Sequence, residues 1–367
     1  MNKRTKDGEK GRRGDGERGK KREGREARGP RLLPTNALPS PSPPTSPSPR
    51  LPVRSVAIIG AGRLGGALAG ALDSVGYHVN ALVARRLSHA KQAARGCPNS
   101  QPLALSSSQL DQLPESDLLI ITTPDDLIGE VAERLADAVF AAGWPLVGRR
   151  NRTVLHASGA LASDVLLPLR ARGFAIGSLH PLASVSSAVG GGGGADNLRG
   201  AFFCVEGDRA AVSVARRITR ALGGQSFSIK ARDKALYHAA AVLTAGHAIA
   251  LFDIAAELLT LCGLTPTQSR RILQPLLQTA CTNLRTQSPS HALTGTFARA
   301  DLNTVTKHVV AFREHKLSDA LNLYVLLGQH SLKLAKESGV DRQAIAKIAR
   351  ALLTASGDER QRGDAAD

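Results

Sequence analysis

The stretch "VAIIGAGRLGGALAGAL", residues 56–72, places a run of apolar residues directly before three glycines spaced G-x-G-x-x-G. An apolar run of this length reads as a buried strand, and the Ala/Leu/Gly pattern after it reads as a helix. A glycine trio between strand and helix has a specific use. Gly60 allows the tight turn, Gly62 lets a pyrophosphate approach the backbone, and Gly65 lets the helix pack close to the strand. The helix amino terminus then offers free N–H groups and partial positive charge, with Arg63 and Leu64 in the same turn. The stretch is therefore read as a dinucleotide grip, with these five residues as its contacts.

Working outward, strands and helices alternate. "YHVNALVAR" (77–85) is a second strand and "SHAKQAARG" (88–96) a second helix. "DLLIITTP" (117–124), "RTVLHAS" (152–158), "FAIGSLHP" (174–181) and "AFFCVEG" (201–207) are further strands. This alternation predicts a doubly wound parallel α/β sheet of the Rossmann type. An NAD site usually carries Asp or Glu at the end of the second strand. Here "VARRLSHA" (83–90) offers Arg85, Arg86 and Ser88, fork-shaped donors and a hydroxyl suited to a 2′-phosphate. NADP is expected over NAD. Thr122, Thr123 and Pro124 end a strand where cofactor contacts gather; Thr123 or Asp125 capping the next helix is the alternative.

His156 in "LHASGAL" and His180 in "GSLHPLAS" both sit at strand ends that face the same crevice, with Ser158 beside the first. A glycine run, Gly190 to Gly194, is read as a mobile loop next to it. From Ala231 the pattern becomes helical, beginning "DKALYHAAAVLTAGHAIALFDIAAELLTL" (233–261). Lys234 and His238, four apart, share a helix face. Either Lys234 or His180 would serve as proton donor, with His156 and Ser158 orienting the substrate. The stretch from Ala235 to Cys262 is interrupted by His238, His247, Asp253 and Glu257. It is read as a buried helix of a cytoplasmic protein and not as a membrane span.

Composition bounds the rest. The 367 residues suit two domains behind a tail, with aromatics at only 3%, so Ala and Leu must fill the core. The formal charge is +17, but residues 1–50 hold 14 Lys/Arg against 6 Asp/Glu, so about half of it lies in the tail. That Gly-, charge- and Pro-rich tail cannot bury enough surface to order itself, and it is read as a solubilising extension, not a nucleic-acid arm. The expected division is a disordered tail over 1–52, a Rossmann-like domain over 53–230, an all-α domain over 231–355 and a disordered end over 356–367. The four cysteines are unpaired and read as small buried residues. They and the dispersed histidines form no metal-ligand spacing.

In order, the glycine turn, "LHASGAL", "GSLHPL", "FFCVEGD", "DKALYHAAAV" and "ALTG…AR.D" resemble the Rossmann-like oxidoreductases whose C-terminal half is the domain of unknown function 2520. That family is similar to the wider 6-phosphogluconate-dehydrogenase-like group, which includes ketopantoate reductases, pyrroline-5-carboxylate reductases and prephenate dehydrogenases. The resemblance spans Val53 to Leu353. It implies a helical C-terminal domain of the 6-phosphogluconate-dehydrogenase type that pairs two subunits as a homodimer. It implies pocket roles for His156, Ser158, His180, Lys234 and His238. It also implies that Thr294, Arg299, Asp301 and His308 close the site and bind substrate. Thr296 and Ala300 replace a proline and a glycine usual in the family, and "HPLASV" replaces "HPLQTF". The expected activity is NADP-dependent hydride transfer to or from a small carbonyl or hydroxy compound, with a carboxylate such as a ketopantoate-like 2-keto acid suiting Lys234 and Arg299. The alternative is a non-catalytic nucleotide sensor or scaffold.

Overall fold

The computed structural model describes residues 55–144, 152–185 and 193–363. The expected tail over 1–52 and the residues after 363 lie outside these ranges, as do Gly190 to Gly192 of the glycine run; Gly193 and Gly194 begin a short helix.

The strands are β1 Ser55–Ile59, β2 His78–Ala84, β3 Leu103–Ser106, β4 Leu118–Ile121, β5 Thr153–His156, β6 Ala175–Leu182, β7 Phe202–Gly207 and β8 Gln225–Phe227. Between them run α1 Arg63–Ser74, α2 Leu87–Ala94, α3 Ile128–Ala141, α4 Leu167–Arg170, α5 Gly193–Asp196 and α6 Arg209–Ala221. One sheet of eight strands results, in the order β3-β2-β1-β4-β5-β6-β7-β8. Alternate residues of each strand enter opposite cores. Val56 and Ile58 pack with α1, α2 and α6, whereas Ala57 and Ile59 pack with α3 and α4. Both faces are covered, which explains why the strands read as unbroken apolar runs.

The expected parallel sheet needs one correction. The pairs from β3 through β6 are parallel, but β7 runs antiparallel to β6. A parallel return requires a full crossover helix, and the described residues between β6 and β7 hold only the four-residue α5. The short strands β3 ("LALS") and β8 ("QSF") extend the two edges beyond the strands expected from sequence.

The remaining helices are α7 Lys234–Thr244, α8 Gly246–Leu261, α9 Pro266–Thr286, α10 Pro289–Ala292, α11 Leu302–Glu314, α12 Ser318–Glu337 and α13 Arg342–Gly363. The long apolar stretch breaks between α7 and α8, at Ala245 and Gly246, where glycine is a poor helix former. Helix α9 starts with a reciprocal capping box between Thr265 and Gln268. Helix α13 continues to Gly363, past the expected end of the helical domain at 355. Val305, Leu321, Val325, Leu332, Ile348 and Leu352 form the core shared by α11, α12 and α13.

One expectation fails outright. The Ala231–Leu261 stretch is apolar and long enough to cross a membrane by composition, yet little of it besides Lys234 and Ala256 is buried in the single chain. Leu236 is 77% exposed, Ile249 67% and, on α9, Leu276 68%.

Candidate active site

The glycine turn joins β1, which lies between β2 and β4 inside the sheet, to α1. The backbone N–H groups of Gly60 and Ala61 both donate to the Val83 carbonyl at the end of β2, each at 2.8 Å. Gly60 has φ +110°, and a methyl there would lie 2.7 Å from the Thr122 carbonyl carbon and the Thr123 nitrogen. A methyl on Gly65 would lie 2.3 Å from the Gly60 oxygen. Gly62 differs: a methyl would meet nothing nearer than 3.8 Å, so its lack of a side chain leaves room for an incoming group. No side chain caps α1 there.

Thr122 braces the turn, its hydroxyl donating to the Gly60 carbonyl at 2.8 Å. The Thr123 hydroxyl is buried without a partner at the same edge. No side chain caps the helical turn that follows Pro124, so the capping alternative for Thr123 and Asp125 is not what the structure contains. Arg85, Arg86 and Ser88 stand exposed where β2 meets α2. Thus the ends of β1, β2 and β4 bring together the residues expected to hold a dinucleotide. An orphaned hydroxyl, an open glycine and two free guanidinium groups fit such a group.

Next to this edge, a cavity of about 230 Å³ is lined by Leu64, Asp125, Ala157, Ser158, Gly159, His180, Pro181, Ala183, Val185 and His238. Ser158 organises its floor. Its hydroxyl donates to Asp125 Oδ2 at 2.7 Å and accepts from the Ala160 and Leu161 N–H groups. Below it, Lys234 is 1% exposed and does not line the cavity; its ammonium donates to the Ser158 carbonyl at 3.0 Å and the Ser178 hydroxyl at 3.1 Å. Burial pushes the Lys234 pKa down, against the pull of Cys204, Glu206 and Asp125.

His156 is fully buried, behind the floor and not in the crevice. Its Nδ1 accepts the Ser158 N–H at 3.2 Å, and its Nε2 is buried without a hydrogen-bond partner. Burial first, then the Lys234 ammonium, lowers its pKa to about 3. His180, on β6, does line the cavity; burial, Lys234 and His238 lower it to about 4. Both rings are therefore neutral at pH 7.

The four residues expected to close the site do not line this cavity. Thr294 and Arg299 are exposed. The Asp301 carboxylate caps α11 by accepting from the Thr304 N–H and hydroxyl, which holds its pKa down. His308 meets the Tyr324 hydroxyl at 2.8 Å and lines a separate, largely apolar cavity of about 360 Å³ with Leu258, Cys262 and Phe312. Cys97 and Cys204 are buried, but Cys262 and Cys281 are exposed, because they lie on the uncovered helices α8 and α9 or at their ends. Among the described residues no cluster of three or more potential ligands could hold a metal. Two site residues were not anticipated in these roles: Asp125, and Tyr237, whose hydroxyl lies 2.7 Å from Nδ1 of His180. The signal for Tyr237 was its place three residues after Lys234, on the same helix face.

Two family models match the chain, one for a Rossmann-like domain over residues 41–181 and one for the domain of unknown function DUF2520 over residues 201–331. None of the curated proteins compared with the chain matches it. Among solved structures it is similar to a protein of Bacteroides fragilis described as a candidate NADP oxidoreductase, at 19% identity and a TM-score of 0.60, over 76% of this chain and 98% of that one. It is also similar to a protein of Thermotoga maritima, at 19% identity and a TM-score of 0.57, over 77% of this chain and 99% of that one. Likeness at this level of identity establishes the shared fold.

Proposed function

We propose that this chain, in which one family model matches a Rossmann-like domain and another a DUF2520 domain, is an NADP-dependent oxidoreductase of a small carbonyl or hydroxy compound. The observation that supports this best is the position of Leu64. It belongs to the glycine turn, and it also lines the cavity that holds Ser158, His180 and His238. A dinucleotide gripped at Gly60–Gly65 would thus present its reactive end at that cavity.

When bound, the cofactor supplies or accepts a hydride at the substrate carbon. The chain's own residues bind and orient. Gly62 admits the pyrophosphate, Arg85, Arg86 and Ser88 hold the 2′-phosphate, and Thr123 offers its free hydroxyl. His180 faces the reacting oxygen. Ser158, fully engaged by Asp125 and two backbone N–H groups, shapes the floor, and Lys234 pins that floor from below. Among the described residues, the cavity lining holds one carboxylate and two imidazoles, that of His180 neutral, with no ammonium or guanidinium group. A neutral carbonyl pole suits it. A keto-acid carboxylate would rely on Arg299, which stands outside this cavity.

The test is a fluorescence titration with NADPH and NADH, followed by NADPH consumption with 2-keto acids, ketopantoate first, against neutral ketones and aldehydes. Micromolar NADPH binding with weaker NADH supports the reading. Binding of neither nucleotide would overturn it in favour of a non-catalytic scaffold.

We further propose that a second copy of the chain covers the exposed apolar face of α7, α8 and α9. A bilayer is a poor occupant, because Lys234 in the first turn of α7 is hydrogen-bonded beneath the cavity floor. Sedimentation velocity should show a dimer, and Ile249→Glu with Leu276→Glu should show a monomer. A monomeric wild-type chain would overturn the proposal.

A further inference from the structure

His180, which lines the cavity, is tied to Tyr237 and Cys204 behind it in a way that hydride transfer alone does not require. The Tyr237 and His180 rings meet edge to face, their centroids 5.6 Å apart, with the hydroxyl on Nδ1. The Cys204 thiol, opposite His180 in the β6–β7 register, is also close to this hydroxyl. Burial raises both the thiol and the phenol, so each keeps its proton. A neutral thiol is a weak acceptor and an imidazole nitrogen a strong one, so the Tyr237 O–H donates to Nδ1. Nε2 then carries the ring proton of neutral His180.

That Nε2–H faces a small space shared with His238. A methyl on Gly159 would lie 2.8 Å from His180 Nε2 and 2.4 Å from His238 Nδ1. The two nitrogens therefore stand within about 5 Å of each other, close enough for one oxygen to reach both. His238 Nδ1 is buried and has no partner, and its ring stands at 83° to that of His180. The charged groups around the pair are Lys234 on α7, Asp125 ahead of α3 and Glu206 on β7, the last engaged by Ser163.

We propose that Tyr237 is a positioning residue that holds His180 in its Nε2–H tautomer, and that His180 and His238 together seat one uncharged carbonyl or hydroxyl oxygen over Gly159. The Nε2–H of neutral His180 polarises a carbonyl, and the lining of this seat holds no ammonium or guanidinium group to pair directly with a carboxylate. The oxygen's identity as the reacting atom rests on the proposed function; the tautomer does not.

The test is nitrogen NMR of the histidine-labelled full chain at pH 7.5, with His180 assigned through His180→Gln. Wild type should show unprotonated Nδ1 and protonated Nε2 on His180. Tyr237→Phe keeps the ring and should turn this single tautomer into a mixture while circular dichroism stays unchanged. Acetone should shift His180 Nε2 and His238 Nδ1, acetate should not, and Gly159→Ala should abolish the acetone response. A protonated Nδ1 in wild type, or a tautomer unaffected by Tyr237→Phe, overturns the positioning role. Absence of an acetone response, or an equal response to acetate, overturns the seat. NADPH titration of the same samples separates these failures from failure of the cofactor reading, which would remove nucleotide binding and leave the tautomer intact.

Discussion

Replacing His156 by Asn should flatten the loss of stability on acidification. In the folded chain His156 is wholly buried and its pKa lies at about 3, against an ordinary value of 6.5. Between those values the unfolded chain binds a proton that the folded chain refuses. Stability from this group is thus complete above pH 6.5 and is lost as pH falls toward 3. At about 1.4 kcal/mol per pH unit, the loss from pH 6.5 to 4.5 is about 3 kcal/mol. His180, lowered to about 4, adds a loss of similar size over the same window. Asn places its oxygen near the position of Nδ1, so it can still accept the Ser158 N–H, but it cannot titrate. The smaller side chain leaves a void and should cost about 1–3 kcal/mol at pH 7.5. Urea unfolding followed by circular dichroism at pH 7.5, 6.5, 5.5 and 4.5 should therefore show the wild-type advantage shrinking by about 3 kcal/mol and vanishing or reversing at the lowest pH. Carboxylates titrate alike in both proteins and cancel. Parallel curves would refute the reasoning, since they would mean that His156 is not held neutral.

Arg85→Asp with Arg86→Ala removes two fork-shaped donors and adds a repelling charge; NADPH affinity should fall about 30-fold or more while NADH affinity barely changes, and equal losses in paired titrations would exclude a 2′-phosphate role. Gly60→Ala should lower stability by about 2–4 kcal/mol in thermal unfolding, given its φ of +110° and a methyl 2.7 Å from the β4 end. Gly62→Ala, by contrast, should fold normally and weaken NADPH at least about tenfold, because the new methyl occupies only the space a phosphate needs. Lys234→Met should raise the titration midpoint of His180 in NMR, since the ammonium helps to hold it down, and should leave NADPH affinity intact. An unmoved His180 would show that the ammonium does not act on the ring.

The amino-acid sequence by itself determined the strand–turn–helix from Val56 to Leu72, because each step is local: an apolar run, a glycine at positive φ, a helix that must pack close. It also determined the basic end of β2 and the position of His180, since both depend on where a strand stops. The partners of those side chains were not legible. His156 and His180 look equivalent as strand ends, yet one is sealed behind the Ser158 floor and the other lines the cavity, a difference set by the elements packed around each. Lys234 reads as a pocket-side proton donor sharing a helix face with His238, whereas the approach of α7 to β5 and β6 buries it under Ser158, out of the cavity lining. Asp301 reads as a site residue and is an N-cap. The reversal of β7, the break within the α7–α8 stretch and the meeting of Tyr237 with His180 across 57 residues were likewise decided by tertiary structure. Periodicity reports which face of an element is apolar; which element covers that face, and which polar groups it traps there, is settled only when distant segments pack together.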